Sequence, residues 1–190
     1  MTKKLSLIII AVAVLISGVL LVPTFFPQKT YTLEGKTIEE RFNYLSQHGN
    51  SSCSTGFKDS ISMMDHSMHL QGSCCSQMSM HRYQQQVEGL KKYNNIREIP
   101  PDPYDISAEL AQRMMGYYDL SLSQAEQAAY DYAMEHSEEK GPCCCKCWRW
   151  YIYGGLAKYL IKNKGFTGEQ ITEVWNLSDG CGGEDEHNHE

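Results

Sequence analysis

Residues 141–165 read GPCCCKCWRWYIYGGLAKYLIKNKG. In the second half, Trp148, Ile152, Leu156, Tyr159 and Leu160 recur at helical spacing and share one face. Lys158, Lys162 and Lys164 gather toward the far end, where the helix dipole favours cations, and Gly165 suits the stop. The first half sets Cys143, Cys144, Cys145 and Cys147 after a helix-breaking Gly-Pro and directly before that helix. Free N–H groups and the positive dipole end at a helix N-terminus favour thiolates, the form that binds metal or attacks a disulfide.

Which chemistry those thiols perform depends on their compartment. The chain opens MTKKLSLIIIAVAVLISGVLLVPTFFPQK, with no charged residue from Leu5 to Phe26. That run is about the 20 residues a helix needs to span a bilayer. It is longer than the apolar core of a cleaved signal peptide, roughly 7–15 residues, and no small-x-small cleavage site follows. The reading is a signal anchor over 1–28 that contacts the membrane through 5–26. Lys3 and Lys4 stay in the cytoplasm and the bulk of the chain lies outside, in the periplasm or at the cell exterior. Disulfides are permitted there, and eight cysteines allow on the order of a hundred pairings. A net charge of −6 argues against a nucleic-acid partner.

The remaining chain reads as mostly α, a small helical domain with a Cys/Met/His-rich loop. Residues 29–97 form an N-terminal helical segment. A helix over 37–50 opens with a Thr37/Glu40 capping box, and a second helix spans 81–96. Between them, 50–81 is rich in Ser, Gly, Met, Cys and His and reads as an irregular loop. The proline-rich stretch 97–107 is a rigid linker. Residues 98–183 form a helical Cys-rich domain. Helices follow Ser107, Ser123 with Glu126, and Thr167 with Gln170. An acidic tail, 184–190, carries His187 and His189. No segment alternates at period two.

Cys144 and Cys147 have CxxC spacing, so two sulfurs can converge on one ion or one disulfide. Neighbouring cysteines pair badly, because a disulfide wants Cα atoms about 4.4–6.8 Å apart. The cluster therefore needs partners elsewhere: Cys181, Cys53, Cys74 or Cys75. In the loop, Met63, Met64, His66, Met68, His69, Cys74, Cys75, Met78, Met80 and His81 combine thioether, imidazole and thiolate. That mixture suits copper(I), and also silver or mercury, whereas calcium and magnesium want oxygen. Met114, Met115 and Met134 lie on helices and read as core. Trp148 and Trp150 are placed to shield a copper–thiolate centre from water and oxidant.

The string MDHSMH, 64–69, resembles the Met/His motifs of periplasmic copper- and silver-binding proteins. PCCCKC, 142–147, resembles the core of the extracytoplasmic PCYCGC-motif proteins of bacteria: Pro142, Cys143, Cys145 and Cys147 match, Cys144 stands for the tyrosine and Lys146 for the glycine. Gly180-Cys181-Gly182 is similar to their late Gly-Cys-Gly element, without the cysteine that follows it there. Those proteins are typically lipid-anchored, and this chain has no lipobox cysteine. The stretch 141–183 also resembles uncharacterised bacterial membrane-anchored proteins. The resemblance implies an extracytoplasmic location and metal binding, and no activity.

The function expected from these features is extracytoplasmic, membrane-anchored binding of a soft metal, copper(I) foremost, with zinc or mercury as other cofactors. Its purpose is sequestration, or delivery involving a metal-donor or metal-acceptor protein. Cys143, Cys144, Cys145, Cys147 and Cys181 form one site. The Met/His loop with Cys74 and Cys75 forms a second site or a lid. One alternative is a disulfide-stabilised structural or interaction domain without metal. Another is a thiol–disulfide oxidoreductase using Cys144 and Cys147. No paired carboxylates, Ser/His/Asp set or phosphate loop points to other enzyme chemistry, and no catalytic residue is named.

Overall fold

Side-chain caps open the helices where the sequence places them. A computed structural model describes residues 33–183. The expected anchor 1–28, with its span 5–26, and the tail 184–190, with His187 and His189, lie outside the described residues. Thr37 Oγ1 accepts from the Glu40 N–H while Glu40 accepts from the Thr37 N–H, which starts α1 (Ile38–Gln47). Ser54, Ser79 and Ser107 cap α2 (Thr55–Ile61), α3 (Met80–Leu90) and α4 (Ala108–Gly116). A short 3-10 turn, Lys91–Tyr93, extends α3. Capping boxes at Ser123/Glu126 and Thr167/Gln170 open α5 (Gln124–His136) and α7 (Gly168–Ser178). The helix of the opening stretch, α6 (Trp148–Lys164), ends at Gly165 in the left-handed region. The chain is mostly helical, as its periodicity implies.

Two expectations need correction. Residues 50–81 are not irregular throughout, because they hold α2 and strand β1 (His69–Gln71). The proline-rich stretch is more than a linker, because it ends in β2 (Asp105–Ser107), antiparallel to β1 with Leu70 opposite Ile106. Both of those side chains are fully buried. A strand of three residues shows too little alternation to register as period two. Asn50 clamps β1 from its other side, donating to the His69 carbonyl and accepting from the Gln71 N–H. Gln112 donates to the Ile61 and Met64 carbonyls and fixes the end of α2. Among the described residues no helix is long and apolar enough to cross a membrane.

Helix α6 is the axle of the fold. Trp148, Ile152, Leu156 and Leu160 are inaccessible, and so are Tyr153, Ala157 and Gly155 on other sides. Burial on several sides extends to Ile161, after which Lys162, Asn163 and Lys164 are exposed. Tyr159 is partly exposed and stacks on Tyr117. Helix α4 packs along α6, and α5 along α7. At Gly155 the backbones of α4 and α6 touch: a Cβ there would lie 2.0 Å from the Met114 carbonyl oxygen. A second apolar group joins α1 and α3 through Leu45, Tyr83, Val87 and Tyr104.

The β1–β2 ribbon carries a titratable pair. His69 Nδ1 lies 2.7 Å from Asp105 Oδ1, which also accepts from Gln71 Nε2. Arg41, Glu34 and Asp102 line the same cleft. The hydrogen bond to Asp105 raises the His69 pKa against the opposing effect of burial. A raised folded pKa contributes stability that is present below the unfolded value, about 6.5, and fades as pH climbs through the folded one. Thermal midpoints of the wild type and His69→Gln are therefore expected to differ most below about pH 6.5 and to converge above it. An equal gap at every pH would refute an ionic role for the pair.

Candidate metal centre

Four stretches of backbone bring every cysteine to one place. Segment 74–77 runs beside 180–183: Cys74 N–H donates to the Gly180 carbonyl, Ser76 N–H to that of Cys181, and Gly183 N–H to that of Gln77. That zipper sets Cys74 and Cys75 against Cys181. Asp179 shapes the 180–181 turn by accepting from the Cys181 N–H, and is itself held by Arg82 and Gln86. Cys53 leaves the Asn50 clamp, with its sulfur directed at the Cys74 carbonyl 3.1 Å away. Residues 141–147 form the fourth stretch. Helix α5 has already ended at His136, and Ser137 closes a turn on Gly141. Cys147 is the N-cap of α6, so it alone of the four occupies the terminus itself.

The sulfurs converge closely. Cys53 and Cys75 are 2.8 Å apart, Cys144 and Cys181 3.1 Å, Cys143 and Cys181 3.3 Å. Cys143 and Cys147 are 3.7 Å apart, as are Cys74 and Cys75. All eight are free thiols. Metal–sulfur bonds of about 2.3 Å put the ligands of one tetrahedral ion roughly 3.8 Å apart; the two 3.7 Å spacings match that separation, and the other three are shorter than it. Four trios have all their sulfurs within 4.8 Å: Cys53/Cys145/Cys147, Cys53/Cys74/Cys75, Cys75/Cys144/Cys181 and Cys143/Cys144/Cys145. Cys143, Cys147 and Cys181 are buried, whereas Cys75 and Cys144 are exposed and form the rim.

A cation lies beside this cluster. Arg149, on the first turn of α6, is 1% exposed. Its guanidinium stacks on Trp148 and donates to the Pro103 and Gly72 carbonyls at 2.7 and 3.2 Å. No carboxylate among the described residues forms an ion pair with it, and its Nε has no partner. Gly180 makes room, since a Cβ there would lie 2.1 Å from the guanidinium. The ionisable side chains near enough to act electrostatically on Arg149 include Tyr153, Cys74, Cys143 and Cys181. A guanidinium taken from water costs several kcal/mol unless charge compensates it.

The thiols differ in acidity. Hydrogen bonds from Cys143, Cys147 and Cys181, with the charge of Arg149, hold the Cys74 thiol far below its ordinary pKa. Burial pushes Cys75 up to about 12 and raises Cys53 and Cys144. The hydrogen bonds of Cys143 with Cys147, Cys181 and Cys74 raise its own pKa.

All eight cysteines read from the sequence are therefore in one cluster, not split between a site and a lid. Among the described residues no histidine joins these trios. Met78 is buried between α1 and α3, and Met80 packs at its edge. Met64 packs on the main core, and Met68 is half-buried before β1. Met63 is 81% exposed. His66 and His81 are exposed, the latter within hydrogen-bonding distance of Gln85, and His69 is engaged with Asp105. Trp148 is buried against Arg149 and Phe57, while Trp150 donates to the Tyr118 hydroxyl.

Sequence reasoning missed Arg149 and Asp179. A signal for Arg149 existed: it is four and seven residues before Tyr153 and Leu156, on an apolar face. The CxxC pair is turned apart, with Cys144 toward Cys181 and Cys147 toward Cys143. No protein-family model, curated protein or solved structure matches the chain.

Proposed function

We propose that this chain is a membrane-anchored, extracytoplasmic protein that binds copper(I), or a similarly soft ion, in one thiolate cluster for sequestration or delivery. The observation that carries the proposal is the convergence of all eight thiols beside a buried guanidinium that has no carboxylate partner among the described residues. Thiolates coordinated to a metal supply the missing negative charge; thioethers and imidazoles do not. Soft sulfur ligands select copper(I) over the harder divalent ions.

A fully disulfide-bonded cluster is the competing reading. Its specific support is the proximity of Cys53 to Cys75 and of Cys144 to Cys181. Disulfides are neutral, however, and leave Arg149 uncompensated, which favours the thiolate form. One experiment decides. The full chain is reduced, kept anaerobic in detergent and titrated with copper(I) against a coloured copper(I) chelator. It is expected to withdraw copper from the chelator, with loss of reactivity at all eight thiols. No withdrawal by fully reduced protein would sink the metal reading. Eight blocked sulfurs in protein isolated metal-free from its own compartment would select the disulfide form.

A further inference from the structure

The four trios use every cysteine, and they are linked. Cys53, Cys75, Cys144 and Cys145 each belong to two trios, whereas Cys74, Cys143, Cys147 and Cys181 each belong to one. The sharing closes on itself. Cys53 joins the trio of Cys147 to that of Cys74, and Cys75 joins the latter to that of Cys181. Cys144 then leads to the trio of Cys143, and Cys145 returns to the start. The close approaches of Cys143 to Cys147 and to Cys181 brace the ring across its buried side.

We infer that, on the copper(I) reading above, the eight thiols hold a single cluster of four monovalent ions, one per trio. Four sulfurs bridge neighbouring ions and four are terminal ligands. Three sulfurs per ion is a coordination number that monovalent soft ions accept. Structural zinc instead asks for four ligands in a tetrahedron. No trio among the described residues is extended to four ligands by a histidine or carboxylate.

The charges balance as follows. In the filled cluster all eight sulfurs are thiolates, the protons of those that were still thiols pass to solvent, and four unit positive charges enter. No electron moves, since copper stays in its lower oxidation state throughout. The cluster is left anionic, and Arg149 offsets part of that charge from inside the fold. Bridging also makes filling cooperative: an ion placed in one trio fixes a sulfur of the next.

The test is a copper(I) titration of the reduced full chain, followed by native mass spectrometry. Metal-free and four-copper forms are expected to dominate at every ratio, with a plateau at four. Cys147→Ser removes a terminal sulfur and should lower the plateau to three; Cys144→Ser removes a bridge shared by two trios and should lower it to two. Circular dichroism verifies that each variant has folded. X-ray absorption on the wild type needs no variant: three sulfurs and a nearby copper around each copper are expected. Zinc alone should saturate at no more than two ions, because eight sulfurs make two tetrahedra. A copper plateau at one or two, or independent stepwise filling, overturns the four-ion cluster and leaves copper binding standing. Failure to retain any copper overturns the copper reading itself, and this inference with it.

Discussion

Replacing Arg149 with methionine shrinks the stabilisation that copper(I) gives the protein by about 3 kcal/mol, roughly a hundredfold in apparent affinity. The magnitude follows from Coulomb's law. Unit charges 4 Å apart attract by about 4 kcal/mol at an effective dielectric of 20, and the guanidinium, 1% exposed, faces the thiol cluster with almost no water to screen it. The substitution also strips donors from the Pro103 and Gly72 carbonyls, which lowers stability by about 1–3 kcal/mol for each buried acceptor left unpaired. That loss is common to the loaded and metal-free states and cancels in the difference between them. The quantity to measure is therefore the rise in unfolding free energy on loading, in wild type and variant. Arg149→Lys keeps the charge without the planar fork and should retain most of the increment. Equal increments in wild type and Arg149→Met would show that the buried cation does not balance the cluster.

Gly155→Ala is expected to destabilise the fold by about 3 kcal/mol and lower the thermal midpoint by roughly 6–12 °C. Two effects compete. Alanine improves helix propensity in α6 by about 1 kcal/mol. Its Cβ, however, would sit 2.0 Å from the Met114 carbonyl oxygen and 2.9 Å from the Tyr118 nitrogen. Those are backbone atoms of another helix and the turn after it, and they cannot swing aside as a side chain can. Steric repulsion wins, and α4 must move off α6. Because α6 begins at Cys147, the same displacement loosens the cluster. Gly56→Ala, also in a helix but with nothing within 4 Å of its Cβ, is the control and should be neutral or mildly stabilising. A Gly155→Ala midpoint no lower than that of the control would mean that the contact between α4 and α6 yields easily.

The helices were legible because their signals are local. Thr37 with Glu40, Ser123 with Glu126 and Thr167 with Gln170 each satisfy a backbone donor three residues away, so the pattern and the bond are the same fact. Gly165 ends α6 for an equally local reason. The ribbon was not legible, because β1 exists only through β2, 36 positions on in the His69–Asp105 contact. Without that partner, His69-Leu70-Gln71 is three residues of a polar loop. The burial of Met78 was not legible either, because it joins a core whose other members, Leu45, Tyr83 and Tyr104, come from separate segments.

The sequence by itself determined that the thiols are numerous, that four of them lead into an apolar helix, and that adjacent ones need partners from afar. It also determined the helical class, through caps and periodicity that act over three or four residues. Only the tertiary structure decided which partners. The 74–77 and 180–183 backbones zip together, Asn50 clamps β1, and Cys53, Cys74, Cys75 and Cys181 thereby reach Cys143–Cys147. It also decided that Arg149 would be a buried cation beside them, without a carboxylate partner among the described residues. These are products of long-range closure, where the burial of α6 supplies the free energy and the sulfurs follow the backbones that carry them.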